Sequence, residues 1–423
     1  MVTLTIKKVH IRKRTIAQWL TLYLMVMPLF INAVASINGL SVLKYTLDVA
    51  WVGIVVLTML HSHLTIQKKI IPMLCVVILF LLLVLIVYAF RFQSLAYFLW
   101  GFRNNFRYYV AFFAIASFAV EEDTEKLLHF MDVLFWVNIV VSLYQYFVLG
   151  YSQDYLGGIF GTARGCNAST LIFFCIVLTR SMLLMLTQRK RNLVCILQVI
   201  AASFVAALAE LKVFFLMLAL ITVLAMVMTQ FSWKKCLLAL FLIVSLFFGS
   251  IIITELFGDS HTLSMENIIR LVFSKNYSSQ RDLGRLSAIP ILSRTILQSP
   301  LDQTIGLGLG NCDTSAFAIC NTPFYQAHSS LNYTWFSTAM LFLETGYIGL
   351  LLFLTFFGLC LLGALKKLRN REGNLVFSQI TIIMSVLCVV LTIYNSSLRT
   401  DIGYLAYFAL ASAFIKTENK EAM

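Results

Sequence analysis

Charge is what this chain has least of. Only 12% of its 423 residues are Asp, Glu, Lys or Arg, against 60% hydrophobic, and no water-soluble fold of that size needs so much apolar surface. Metal-ligand spacing is missing too. The six histidines are scattered, and seven of the nine cysteines lie in or beside apolar runs, where thiols act as small hydrophobes. No Asp-x-Asp-like pair stands outside those runs, so neither a metal site nor a cofactor is expected. A small-residue cleavage site is absent after the basic start KKVHIRKR, and the first apolar run therefore reads as a span rather than a cleaved signal. No internal repeat divides the chain into related halves, as it does in many transporters.

What the chain has instead is a succession of apolar runs of about 20 residues, the length that crosses a bilayer as a helix. Twelve can be read, near 16–35, 42–60, 70–90, 104–120, 128–149, 167–187, 193–209, 212–230, 236–254, 333–363, 375–394 and 402–416. They predict an all-α polytopic membrane protein with about 12 transmembrane helices. Nine fall in 1–254 and three in 333–423, and between them 255–332 forms one large outer loop with amphipathic segments. The tenth run is long enough to divide into a re-entrant piece around Phe336–Glu344 and the span proper.

Charge placement orients the helices. With the N-terminus in the cytoplasm, the clusters at Lys7–Arg14, Lys68–Lys69, Arg189–Arg191, Lys234–Lys235 and Lys366–Arg371 share one side with Lys126, Arg180, Lys416 and Lys420. That is 20 of the 32 basic residues, as positive-inside selection requires. Both termini are then cytoplasmic and the large loop is outside. The net charge of +13 reports this topology and calls for no nucleic-acid partner.

The other twelve basic residues lie outside or at the outer helix ends: Lys44, Arg91, Arg103, Arg107, Arg164, Lys212, Arg270, Lys275, Arg281, Arg285, Arg294 and Arg399. Nine are arginine, against seven of the cytoplasmic twenty. A planar guanidinium suits phosphate or carboxylate in a poorly hydrated place. Singly, each arginine can equally snorkel to lipid phosphates or pair with loop acids; as a set they favour an anionic substrate at the outer leaflet.

Specific candidates stand out within this set. LGGIFGTARGCN (156–167) puts four glycines and Arg164 just before Asn167 and an apolar run. It can present N–H groups and a guanidinium to phosphate, or merely reverse the chain. Glu210 and Lys212 share a turn at membrane depth, as a functional pair or as self-neutralising neighbours. Arg281 and Arg285 are four apart, and on a surface helix both project from one face, although Pro290 makes one continuous helix through Arg294 doubtful. His328 precedes an apolar run that re-enters the membrane, and a lone histidine is more often structural than catalytic. Cys312 and Cys320, eight apart in the outer loop, can close a disulfide or remain free.

The order Gly284-Arg285, then SP-x5-GxGxGN (Ser299 to Asn311), then His328, then E-x-G-x-x-G-L from Glu344 resembles the O-antigen polymerase and O-antigen ligase superfamily, the Wzy-like and WaaL-like proteins. GTARGCN and AELK are similar to that family's upstream segments. The resemblance implies a metal-independent glycosyltransferase of the bacterial inner (plasma) membrane, active on its periplasmic face in lipopolysaccharide or related polysaccharide biosynthesis. It implies undecaprenyl-diphosphate-linked oligosaccharide and membrane lipids as partners, and admits a chain-length regulator protein. Arg164, Lys212, Arg281 and Arg285 would bind the diphosphate, with His328 and Glu344 as catalytic candidates and Asn167, Glu210, Gly284, Gly308 and Gly310 in support. His328 is followed by Ser329, where the ligases usually have asparagine, and Lys212 replaces their arginine. Both departures favour polymerase over ligase. A flippase for lipid-linked oligosaccharide is the other alternative.

Overall fold

The computed structural model describes residues 15–35, 40–60, 67–187, 192–229, 233, 235, 239–240, 283–315 and 317–416. The named elements among these residues are all helices, and Val120 and Lys416 form an isolated bridge. Helix α1 (Ile16–Val26) starts on a capping box exchanged between Thr15 and Gln18. Pro28 then tightens the chain into a 3-10 turn before the short α2 (Ile31–Ala35), because proline cannot donate to a continuing helix. The expected run 16–35 is thus interrupted. α3 (Thr46–Leu60), α4 (Ile71–Phe90), α5 (Leu95–Phe118), α6 (Glu121–Phe147), α7 (Asn167–Leu186), α8 (Asn192–Leu208) and α9 (Lys212–Val227) follow. After residue 283 come three short helices, α10 (Ala288–Thr295), α11 (Pro300–Ile305) and α12 (Pro323–His328), and then α13 (Ser337–Arg369), α14 (Leu375–Tyr394) and α15 (Gly403–Ala411).

Six stretches are long and apolar enough to cross a membrane: Val42–Leu60, Lys68–Phe90, Glu121–Phe147, Asn167–Leu186, Ser337–Arg369 and Leu375–Tyr394. Four shorter apolar stretches, Ile16–Leu29, Asn192–Leu208, Lys212–Val227 and Gly403–Phe414, match four more of the twelve expected runs. The expected run 104–120 belongs to the 24-residue α5, which begins nine residues earlier. At about 1.5 Å per residue α5 is roughly 36 Å long, and its middle carries Arg103, Asn104, Asn105 and Arg107. The expected span 236–254 falls almost wholly outside the described residues, as do loop residues 255–282, Arg281 among them.

The apolar helices sort by what surrounds them. α7 is buried on nearly every side, the pattern of a helix hydrophobic all round, and it packs against α6, α8, α9 and α14. α3 and α4 instead expose Val49, Met59, Ile86 and Phe90, an apolar surface suited to hydrocarbon. Polar bonds tie the connections into two ends. At one, Lys69 pairs with Glu372, and Asn374 donates to Glu121 at 3.1 Å, which gathers the basic segments 68–69 and 366–371. At the other end lie residues 91–94, 157–167, 209–212, 283–335 and 394–401. Arg180, counted with the cytoplasmic cations, is buried on α7, where Glu125 at 2.6 Å and Asp132 pair with it.

α13 is two helices in one. Gly346 has φ 63° and ψ −164° and divides a nine-residue piece from the longer one, so the expected division of the tenth run is present. The break frees carbonyls that residues 347 and 348 would otherwise bond. Leu307 N–H donates to Leu343 O at 2.8 Å and Gly308 N–H to Glu344 O at 3.0 Å. The 306–310 turn thus satisfies backbone groups that the break leaves open.

Candidate functional site at the loop-bearing end

The GLGLGN turn is built for close backbone approach. Gly306, Gly308 and Gly310 all have positive φ, at 78°, 104° and 83°. A Cβ on Gly310 would overlap Tyr97 O, and one on Gly306 would overlap the Glu344 backbone. Gly101 of α5 meets the same turn, and its Cβ would lie 2.6 Å from Gly310 Cα. Only glycine permits both the left-handed backbone and these contacts. The turn is pinned further by Arg91, which pairs with Asp302 and donates to Gly306 O at 3.2 Å.

Inside this turn lies Glu344, its side chain fully buried. Gly310 N–H donates to one of its oxygens at 3.0 Å, and Arg399 faces the other at 3.4 Å. The same Arg399 nitrogen lies 3.4 Å from Asp313. A carboxylate engaged on both oxygens by the protein is held as a structural anchor. Glu344 therefore fixes Arg399 and the glycine turn rather than presenting a free base.

Arg399 leads to a cavity of about 370 Å³ between α5, the 394–401 connection and the loop at Thr314 and Ser315. Arg103 and Arg107, four apart on α5, share its wall with Arg399, Lys44 and Asp401. Arg107 donates to Asp401 at 2.8 Å and Arg103 to Asp48 at 2.8 Å. The Arg103 guanidinium also lies over the Trp100 and Tyr45 rings, at 4.9 and 5.3 Å from their centroids. Trp100 Nε1 donates to Thr314 O at 3.2 Å, and Asn321 holds Thr314 and Ser315 through its Oδ1. These bonds fold the loop onto the helix ends.

The expected diphosphate residues lie elsewhere at the same end. Arg164 is exposed and sits 5.7 Å from the Trp335 ring centroid. Arg285 lies over Phe336, the next residue, and over Tyr394 at 4.0 Å, and its Nε donates to Tyr394 O at 3.0 Å. Neighbouring residues of one segment therefore hold both arginines. Lys212 pairs with Glu210 at 3.1 Å, and Glu210 adopts φ 53°, uncommon for a residue with a side chain. Asn167 ties the start of α7 to that turn through Ala209 O at 3.3 Å. Gly284 is buried beside Leu283, whose N–H donates to Leu331 O at 3.1 Å.

Two expectations change. Arg285 is not on a helix, and Arg281 lies outside the described residues: α10 begins only at Ala288, since Pro290 fits the first turn, where its missing N–H is harmless. Cys312 and Cys320 are both free thiols, so the disulfide reading fails. Burial, with the Glu344 and Asp313 charges, holds the Cys312 thiol well above its ordinary range. His328 closes α12 and packs on Phe324, ring centroids 4.7 Å apart, away from the residues that line the cavity. Among the described residues no three His, Cys, Asp or Glu side chains group as metal ligands.

Lys44, Arg103, Arg107 and Arg399 were legible only as members of the twelve-residue basic set. The carboxylate partners of the three arginines come from positions as distant as Asp48 and Asp401, which no spacing connects. In comparison with known proteins, no family model matches the chain and no curated protein matches it significantly.

Proposed function

We propose that the chain is a glycan polymerase that moves undecaprenyl-diphosphate-linked oligosaccharide onto another lipid-linked repeat unit, at the outer face of a bacterial inner membrane. The supporting observation is a polar cavity of about 370 Å³ set into the end of an apolar helix bundle, with arginines laid over Trp335, Phe336 and Tyr394 at the same end. A lipid-linked substrate needs this combination of a hydrocarbon-facing surface and a polar end with fixed positive charge.

In this reading Arg285 and Arg164, with Lys212, receive the diphosphate. The acceptor hydroxyl attacks the anomeric carbon, the bond from that carbon to the phosphate oxygen breaks, and undecaprenyl diphosphate leaves with the electron pair. His328 takes the hydroxyl proton, since a neutral imidazole has a ring nitrogen that can accept it and return it. Glu344 keeps Arg399 and the glycine turn in place.

The test is the lipid-linked pool of a deletion strain. Single repeat units are expected to accumulate on undecaprenyl diphosphate, and single units are expected still to reach lipid A core. Long glycan on undecaprenyl diphosphate with none on lipid A core would instead identify a ligase, and donor trapped on the cytoplasmic leaflet would identify a flippase. Complementation with Arg285→Lys, which keeps the charge and loses the planar fork, is expected to leave chains short and sparse.

A further inference from the structure

We propose that the cavity between α5, the 394–401 connection and Thr314–Ser315 is a saccharide subsite that binds the uncharged glycan and not the diphosphate. The inference rests on the polymerase reading for the identity of the glycan, but its observations are separate ones. Four cations reach the cavity, Lys44, Arg103, Arg107 and Arg399. Four carboxylates answer them. Asp48 lies 2.8 Å from Arg103, Asp401 2.8 Å from Arg107, and Asp313 and Glu344 each 3.4 Å from Arg399. The formal charge of the network is zero, so it has no surplus with which to attract a diphosphate, and Asp401 on the wall repels one.

Hydrogen-bonding capacity points the same way. A diphosphate only accepts, whereas each sugar hydroxyl both donates and accepts. This wall offers both kinds of group. The side chains of Arg107 and Arg399 are only 3% and 8% exposed, yet the Nε–H of each has no partner among the described residues. Such donors favour a ligand oxygen, because a buried N–H left unpaired costs about 1–3 kcal/mol. Acceptors stand beside them in Asp401 and in the hydroxyls of Ser315 and Thr400. Trp100 and Tyr45 add aromatic rings to the lining, each with the Arg103 guanidinium over it, and Phe317 packs edge-on to Trp100 at 5.8 Å. A small ligand site of a few hundred Å³ typically combines aromatic walls with a few fixed polar groups.

Lys44 separates binding from folding. It lines the cavity and lies 5.1 Å from the Tyr45 ring centroid, but it makes no ion pair among the described residues, so its removal changes the formal charge by one and leaves every ion pair in place. Asp401→Asn keeps the shape and breaks the charge balance by one. The probes are the neutral oligosaccharide freed by mild acid from the host's lipid-linked pool and, separately, inorganic pyrophosphate. Each is titrated calorimetrically into the full chain in nanodiscs.

The oligosaccharide is expected to bind about tenfold more weakly to Lys44→Gln and to Asp401→Asn, while pyrophosphate binding is the same in both variants and in the unaltered protein. Oligosaccharide that binds all three proteins equally overturns the subsite and leaves the polymerase reading standing. Pyrophosphate binding weakened by Lys44→Gln and strengthened by Asp401→Asn shows an anion site and also overturns the subsite. If the oligosaccharide does not bind even the unaltered protein and a deletion strain still makes long chains, the polymerase reading falls as well. Should Asp401→Asn fail to fold, Lys44→Gln alone decides between these outcomes.

Discussion

Replacing Glu344 by glutamine tests whether this carboxylate holds the site together or acts in the chemistry. The side chain is fully buried, and Arg399 lies 3.4 Å from it. Two unit charges at that distance attract by about 5 kcal/mol at an effective dielectric of about 20, before desolvation is counted. Removing one member of a buried pair typically costs about 3–5 kcal/mol, because the other is left uncompensated. Here Asp313 remains 3.4 Å from the same nitrogen, and the glutamine carbonyl can still accept from Gly310 N–H. The expected loss is therefore about 2–3 kcal/mol, slightly below that range. Thermal unfolding of the purified protein in nanodiscs, followed by tryptophan fluorescence, should show a midpoint lower by several degrees. Elongation per folded molecule should fall far less than the roughly 10²-fold or more that loss of a general base brings. An unchanged midpoint with elongation abolished would refute the holding role and assign Glu344 to catalysis.

Gly310→Ala and Gly165→Ala form a matched pair, since both residues have φ +83° but only the Gly310 Cβ meets other atoms. Gly165→Ala should cost about 1–2 kcal/mol from backbone strain alone, whereas Gly310→Ala should lose most of its folded yield; equal yields would show that the 306–310 turn does not press on α5. The raised pKa of Cys312 keeps the thiol neutral through mildly alkaline pH. Its alkylation in the native protein, read by peptide mass spectrometry, should stay flat between pH 7 and 9, where an exposed thiol speeds up roughly 20-fold; a parallel rise would show that the site is open. His328→Ala should fold normally, since its ring packs on one neighbour, and should lose elongation by roughly 10²-fold or more. Near-normal chain length in that variant would remove His328 from the mechanism.

The sequence by itself carried what depends on local composition and period. Apolar runs located most of the long helices, because burying about twenty consecutive apolar residues dictates a helix regardless of its neighbours. The length of the tenth run signalled the division of α13, and Pro290 made one continuous helix through Arg294 doubtful, whereas the breaks at Gly346 and Pro28 were located by the structure. Even the boundary of α5 was obscured by competition between signals: Arg103, Asn104 and Arg107 look like a helix end outside the membrane, yet each is bonded to Asp48, Asp313 or Asp401. Partner identity was beyond the sequence for the same reason. Asp48, Asp313, Asp401 and Glu344 are separated by up to 353 positions, and a side chain's charge does not say which distant carboxylate will neutralise it. Tertiary packing alone turned the outer arginines into two kinds of site: Arg164 and Arg285 laid over aromatic rings, and Arg103, Arg107 and Arg399 balanced by acids around a cavity. Electrostatic balance is a property of groups brought within a few ångströms, so only the folded chain decides it.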